Sequence, residues 1–396
     1  LTENFEQYLD EVVTLRRHFH QNPELGFKEY KTQKFIIKYL TDLGLQPYKI
    51  ASTSVVALIH GKNPGKTLLL RSDMDALPIQ ETNTFSFASK NDGVMHACGH
   101  DGHMAMLLVA AKILVKNKEC FDGTVKLVFQ PNEEADGASF LIKEGVLENP
   151  KVDSSFAIHL WSPIPSGKIG LKSGAVMAEM YNFKIILKGK GGHTSAPQDG
   201  IDPILCAANI IQSVQMIQTR EINPMDTTVI MFGKINGGTQ SNIIAETIEL
   251  EGSLRYLYDG DDAKEQHPRK RMKRIIESIC QAHRVECNIA FMPSNYIVLN
   301  DEDSVAFLKK NVLSHITQSE NIIPYYCMGG EDFSEFTSHN GIPGALIFVG
   351  TGNSEIGSDK SHHTSDFTID ENTLLTGVKI HVYTALYYLS QKEDSL

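Results

Sequence analysis

The stretch HACGHDGH, residues 96–103, sets Cys98, His100 and His103 close together with no second cysteine nearby to pair with. Three other places offer donors of the same kind. Glu133 and Glu134 follow the apolar run VKLVFQPN, His159 closes SFAIH, and His362 and His363 stand side by side in the polar stretch DKSHHTSDF. Thiolate, imidazole and carboxylate are the groups that bind zinc and its neighbours among the divalent metals. Taken singly, each has an ordinary explanation: a structural histidine, a small buried thiol, a solvated acidic loop. Together they are harder to set aside. Two adjacent carboxylates after a buried strand repel each other unless a cation or a proton offsets them. His103 falls on the face of a helix, either as a structural residue or as one that holds a ligand in place.

The surrounding pattern suggests how these residues are carried. Phe5, Leu9, Val12, Val13 and Leu15 recur at helical spacing and predict a helix over 4–18, broken by Pro23 and Gly26. A second amphipathic helix is expected over 29–43, ending near Gly44. SVVALIHG, TLLLRSDMD, GTVKLVFQ and DSSFAIHLW read as strands, with His159 at the end of its strand. DGHMAMLLVAAKILVKN and SFLIKEGVL read as helices. Strands alternating with helices predict an α/β sheet with helices on both faces, and such sheets gather ligands at the carboxyl ends of their strands.

From about residue 180 the texture changes. YNFKIILKGKGG, TTVIMFGKINGG, NIIAETIELEGSLRYL and VECNIAFMP are strands, with helices expected over DPILCAANIIQSVQMI and over residues 261–284. SVAFLKKNVLSHI, GALIFVGTG and ENTLLTGVKIHVYTALYYL then return to the earlier style. The expected fold class is two-domain α/β: a discontinuous catalytic domain of residues 1–179 and 293–396, interrupted by a smaller α+β domain at 180–292.

A chain of 396 residues exceeds what one hydrophobic core organises, which agrees with two domains. A net charge of −11 argues against nucleic acid or an anionic membrane as partner. No apolar run approaches the ~18 residues a membrane span needs. The opening LTENFEQYLDEVV is acidic and amphipathic, unlike a secretory signal. Six scattered cysteines are not a disulfide framework, so a reducing cytoplasm is the expected location.

RRHFHQNPELGFKEYKT, LLLRSDMDALPIQE, MHACGHDGHMAMLL, VFQPNEEADGA, GKGGHTSAPQDGIDP, MGGEDFSEF and HHTSDFTIDE occur in that order. From about residue 11 to 390 the chain thereby resembles the dinuclear metallo-amidohydrolases. These include bacterial N-acyl-amino-acid hydrolases, hippurate hydrolases, N-acetyl-diaminopimelate deacetylases and plant auxin-conjugate hydrolases. The resemblance implies two divalent metal ions per subunit, zinc or manganese first, nickel or cobalt next. It implies Cys98 as the bridging ligand, with His100 and Glu134 completing one metal and His159 and His363 the other. The family's His-x-x-x-Phe-x-x-Asp pattern fits Phe367 and Asp370, which selects His363 and leaves His362 as an exposed neighbour. Where the wider superfamily has His-x-Asp, this chain has Arg71, Ser72 and Asp73, and arginine cannot ligate.

An amide needs an attacking hydroxide, a polarised carbonyl and a protonated leaving amine, and metal ions supply the first two. Glu133 is expected to be the general base, or else a carboxylate that orients a ligand. By the same resemblance His193 reaches the active site of a partner subunit and stabilises the oxyanion, while Asn242 and Arg255 hold the substrate's carboxylate. Without the resemblance, His193 and Arg255 read as surface residues. Asp73 and Asp101 are expected to orient ligand imidazoles, and Glu331 and Asp332 to line the pocket or cap a turn. The expectation is a cytoplasmic homodimer that hydrolyses a small N-acyl amino acid or conjugate, joined through an inserted lid and dimerisation domain. The alternatives are a di- or carboxypeptidase, a metal-free binding protein that keeps the fold, and a redox-sensing role for Cys98.

Overall fold

The structure, a computed structural model, describes residues 3–258 and 267–390. It forms two compact units: Leu1–Val176 with Val298–Tyr326 and Glu331–Leu396, and Met177–Ile297 with Cys327–Gly330. The short segment Cys327–Gly330 lies far along the chain from the rest of the second unit, and no pattern in the sequence pointed to it.

The first unit is built on a seven-stranded mixed sheet. Its strands include β1 (Val55–His60), β2 (Thr67–Asp73), β3 (Thr124–Gln130) and β4 (Ser154–Pro165), with Gly344–Gly352 beside β4. β1 runs antiparallel to β3, whereas β3, β2, β4 and Gly344–Gly352 run parallel to one another, and Gly344–Gly352 is antiparallel to Ile169–Gly170 on its other side. β2 and β3 are buried along their whole length, as strands covered on both sides must be. Leu68, Leu70, Val125, Leu127 and Phe129 join the main apolar core. Arg71, Lys126 and Gln130 are polar yet fully buried.

Helix α1 (Leu9–Gln21) contributes Val12, Leu15 and Phe19 to that core, and α2 (Tyr30–Asp42) contributes Ile36 and Leu40. Helix α3 (His100–Lys116) is buried almost all round, so it reads as apolar on every face rather than as an amphipathic stripe. It packs against α1, β2 and the C-terminal helix Leu374–Leu389.

The sequence reading ended a strand at His159, but β4 continues to Pro165. Pairing with β2 stops at Arg71–Ala157, while pairing with Gly344–Gly352 carries β4 onward. His159 therefore stands just past the point where pairing with β2 ends.

The second unit is a four-stranded antiparallel sheet in the order Glu286–Asn295, Glu179–Lys188, Thr247–Tyr256, Thr228–Gly237. Helices Pro203–Ser213 and Pro268–His283 share its apolar core through Cys206, Ala207, Ile210, Met272, Ile276 and Cys280. Residues 261–266 of the helix expected over 261–284 lie outside the described residues. The single strand expected over NIIAETIELEGSLRYL is two: Ile243–Ile244 pairs with Gly192–His193, and Thr247–Tyr256 enters the main sheet. Ile244 and Ala245 are both buried, so the alternation of a strand fails between them. No helix among the described residues is long and apolar enough to cross a membrane.

Lys126 shows how the polar face of the first sheet is kept. Its ammonium donates to the carbonyls of Val146, Glu148 and Pro150 at 2.9, 2.8 and 2.7 Å, one acceptor for each proton. Lys126→Met would leave those carbonyls without this donor. It is expected to cost about 2–4 kcal/mol in a urea melt, with activity per folded molecule unchanged.

Candidate metal centre

Gly99 separates Cys98 from His100 and takes φ +93°, a left-handed conformation that glycine adopts without strain. The turn lets the chain enter α3 abruptly, so both side chains stand at the mouth of that helix. A Cβ on Gly102 would lie 2.4 Å from Leu160 Cδ1, so glycine also permits close approach of α3 to β4. The short turn Glu133–Ala135 is flanked by Asn132 and Asp136 at φ +56° and +61°, the residue types that best tolerate left-handed backbone after glycine. His363 is itself left-handed at φ +63°, and its N–H donates to Ala97 O at 2.8 Å, next to Cys98.

These devices bring the five predicted ligands together. His363 Nε2 lies 3.4 Å and His159 Nε2 3.8 Å from Cys98 Sγ. Ligand atoms of Cys98, His100 and His159 lie within 4.8 Å of one another, as do those of Cys98, Glu134 and His363. The sulfur belongs to both groups. His100 lies in that range of His159 and also of Glu134, the pairing expected for it, while Glu134 also groups with His363. His100 and His159 come from α3 and β4, which pack together, whereas Glu134 and His363 come from two loops.

The hydrogen bonds set which nitrogen of each imidazole is open. His100 Nδ1 donates to Asp75 O at 2.9 Å, and His159 Nδ1 donates to Leu160 O at 2.9 Å, so Nε2 of each neutral ring carries the lone pair. His100 Nε2 and Glu134 Oε1 are buried with no hydrogen-bond partner. His363 Nε2 lies 3.2 Å from that same Glu134 oxygen, but without the alignment of a hydrogen bond. Donor atoms that converge, two of them with no hydrogen-bond partner, are what a cation site requires, and the N, O and S donors suit a zinc-like dication.

His103 is not free to ligate. It donates from Nδ1 to Asp73 Oδ1 at 2.7 Å and accepts at Nε2 from Leu160 N–H at 2.8 Å, which makes it structural. His362 is not the exposed neighbour expected. It stacks on Trp161 at 4.3 Å and reaches Leu160 O at 3.1 Å, while the His363 side chain is 49% exposed. Asp101 does not orient a ligand either. It binds Arg16 Nε at 2.8 Å and His20 Nδ1 at 2.7 Å.

Arg71, the departure from the superfamily pattern, is a buried counter-ion. Its guanidinium reaches Asp73 Oδ2 at 2.7 Å, Glu331 Oε1 at 2.9 Å, Asp332 Oδ1 at 2.9 Å and Gln130 Oε1 at 2.8 Å. Glu331 also accepts Phe333 N–H, so both readings offered for it hold: it faces the site and caps a turn. Glu133 lies within 4.8 Å of Glu331 and Asp332. Burial, and then the charges of Glu331, Glu134 and Asp332, push its carboxyl well above the usual range. Burial and Glu134 likewise push the Cys98 thiol up, and burial with His103 and His362 pushes His159 down. Burial works against a charged His100, but Asp73, Asp75 and Glu134 outweigh it and raise His100 to about 10, so that Nε2 also holds a proton until a cation displaces it.

The residues expected to meet substrate lie in the second unit. The ribbon sets His193 opposite Ile243, and Thr194 N–H donates to Asn242 O at 3.2 Å, so His193 and Asn242 are neighbours and both are exposed. His193 Nδ1 meets Ser195 Oγ at 2.7 Å. Arg255 is half-buried on Thr247–Tyr256 and donates to Met328 O at 2.8 Å. What the sequence reading missed is Asp75. It sits in the quoted RSDMD, but nothing in that spacing ranks it above Asp73.

Fold and site together define the class, a metal-dependent amidohydrolase. The chain belongs to peptidase family M20/M25/M40, whose profile matches residues 69–387. It is 39% identical over 393 residues to thermostable carboxypeptidase 2 of Saccharolobus solfataricus, covering 98% of each chain. It is 36% identical over 387 residues to the N-acetyl-L-cysteine deacetylase of Bacillus subtilis, covering 97% of this chain and 90% of that protein. A solved dinuclear metal-binding M20 peptidase from Bacillus subtilis superposes with a TM-score of 0.84 at 30% identity, over 97% of this chain and 99% of that one.

The only tryptophan of the chain, Trp161, lies edge-on to His159 with ring centroids 4.9 Å apart. Cobalt or nickel added to metal-stripped protein is expected to quench its emission, because paramagnetic ions drain an excited indole at contact range. In Cys98→Ala the quench should shrink, with at least one ion lost by elemental analysis. Unaltered emission and an unaltered ion count in that variant would remove Cys98 from the site.

Proposed function

We propose that the protein removes the acyl group from an N-acyl amino acid or related conjugate, using two divalent cations, zinc or manganese before nickel or cobalt. The observation that carries this is the meeting of Cys98, His100, Glu134, His159 and His363 around open lone pairs, with Glu133 beside them. Cys98, His100 and His159 would hold one cation and Cys98, Glu134 and His363 the other. Bound there, the cations would acidify a water and polarise the amide carbonyl.

Glu133 takes the proton of that water and returns it to the departing amine nitrogen. A carboxyl whose pKa is pushed up by burial and neighbouring acids is suited to both transfers near neutral pH. Arg255 and Asn242 hold the substrate's free carboxylate, which an N-acyl amino acid and a carboxypeptidase substrate share. Likeness to a deacetylase of an N-acetylated amino acid supports the former. His193 stabilises the oxyanion in the partner subunit of a cytoplasmic homodimer. Its exposure on a ribbon supports that role. The dimer joins through the second unit, whose exposed Ile204, Leu205, Met231 and Ile235 would be covered by such an interface.

Side-by-side assays of acetyl-, benzoyl- and free dipeptide substrates test the reaction. Hydrolysis of acyl amino acids over free dipeptides is expected, and the reverse preference would make the protein a peptidase. Glu133→Gln is expected to keep its metal and lose at least ~100-fold in turnover; full turnover would assign the base elsewhere.

Mixing tests the dimer. His193→Ala and Glu133→Gln, each nearly inactive alone, should regain activity when unfolded and refolded together, because a mixed dimer contains one site with both groups intact. No regain would place His193 outside the partner's site.

A further inference from the structure

The turn that carries Glu133 and Glu134 is held by two buried carboxylates from distant parts of the first unit. Asp75, 2% exposed, accepts Glu133 N–H on Oδ1 at 2.9 Å and Glu134 N–H on Oδ2 at 3.1 Å. Glu29, fully buried, accepts Asn132 N–H on Oε1 at 3.0 Å and the Thr53 hydroxyl on Oε2. Three successive backbone N–H groups, of residues 132, 133 and 134, are thus each pinned by a carboxylate oxygen. Bonds to an ionised carboxylate are stronger than neutral ones, and burial, which pushes the Glu29 carboxyl up to about 7, makes its single bond to the turn the weaker support. Asp75 also works in the other direction. Its main-chain oxygen takes the Nδ1 proton of His100, which leaves Nε2 of that ring open.

We infer that Asp75 is a positioning residue that sets the two cation sites and the base in one geometry, with Glu29 as its support. Its carbonyl orients a ligand of the Cys98–His100–His159 group. Its carboxylate orients the turn bearing Glu134, a ligand of the other group, and Glu133. A side-chain substitution leaves the main-chain carbonyl in place and acts chiefly on the turn, with a smaller effect on His100, whose Nδ1 lies 3.4 Å from Asp75 Oδ1. This inference rests on the proposed two-cation amidase.

The test is Asp75→Asn, which is isosteric but turns one acceptor into a donor facing an N–H group. Metal-stripped wild type and variant are titrated with cobalt, reading Trp161 emission and ion count, and kcat and KM are then measured with an acetyl amino acid at saturating metal. The variant is expected to bind its first ion within a few-fold of wild type and its second about 10–100-fold more weakly, the usual cost of losing an outer hydrogen bond at a metal site. At saturating metal kcat should fall about tenfold or more with KM little changed, since Glu133 is no longer held.

Glu29→Gln should shift both readings the same way by a smaller factor, and it carries the test if Asp75→Asn does not fold. Asp153→Asn is the control: Asp153 accepts Thr67 N–H at 2.7 Å by the same kind of bond, at the start of β2 and so at the opposite end of that strand from Asp75. Wild-type second-ion affinity and wild-type kcat in Asp75→Asn, or in Glu29→Gln where that is the variant that folds, would overturn the inference. A wild-type protein that takes up no second ion would instead overturn the reading on which it rests.

Discussion

Negative charge gathered in a dry place is the constraint around which the first unit is organised. Asp73, Glu133, Glu331 and Asp332 are buried together, with Glu134 and the Cys98 sulfur at their edge. Like charges at such range in a low dielectric repel by several kcal/mol, and each also forfeits its hydration. The chain relieves this in three ways. Arg71 bonds to Asp73, Glu331 and Asp332 at once, backbone N–H groups take up both oxygens of Asp75, and the remaining lone pairs converge on space that a dication fills.

The replacement of a ligating histidine by Arg71 is coherent in this light. A permanently charged guanidinium can bind three carboxylates as a fork, which an imidazole cannot do. Cation binding would then fall to donors from elsewhere in the chain: Cys98 and His100 at the mouth of α3, Glu134 from its turn, and histidines from β4 and from the loop after Gly344–Gly352. The cluster is therefore assembled from segments more than 250 residues apart, and it is rigid where they pack and adjustable where they are loops. His100 and His159 ride on a helix and a strand. Glu134 and His363 ride on turns held in left-handed backbone, so their placement depends on the hydrogen bonds of Asn132, Glu133, Glu134 and His363.

Much of this was legible in order along the chain. Buried strands announce themselves as unbroken Val and Leu runs, and α3 as an apolar stretch of helical length. The change of texture near residue 180 comes close to where Met177 opens the second unit. Features that depend on a partner strand were not legible. β4 overran His159 because a distant strand extends the sheet, and the strand expected over 242–257 split because two consecutive residues face inward. His362 and His363 differ by one position and have opposite surroundings, which no local pattern could separate by exposure.

By itself the sequence determined which atoms are available: a thiol, three imidazoles and two carboxylates at the ends of predicted elements, in the order of a metallohydrolase family. Composition and spacing suffice for that, because they govern secondary structure and donor type. The tertiary structure alone decided how those atoms meet and which are free. It set His100 within reach of both His159 and Glu134 and brought His363 to Glu134, closed both nitrogens of His103, turned Asp101 toward Arg16, and made Asp75 the residue bonded both to His100 and to the turn of Glu133 and Glu134. The physical reason is that a hydrogen bond or a shared ligand depends on distances of about 3 Å between residues far apart in the chain, and only the packed fold fixes such distances.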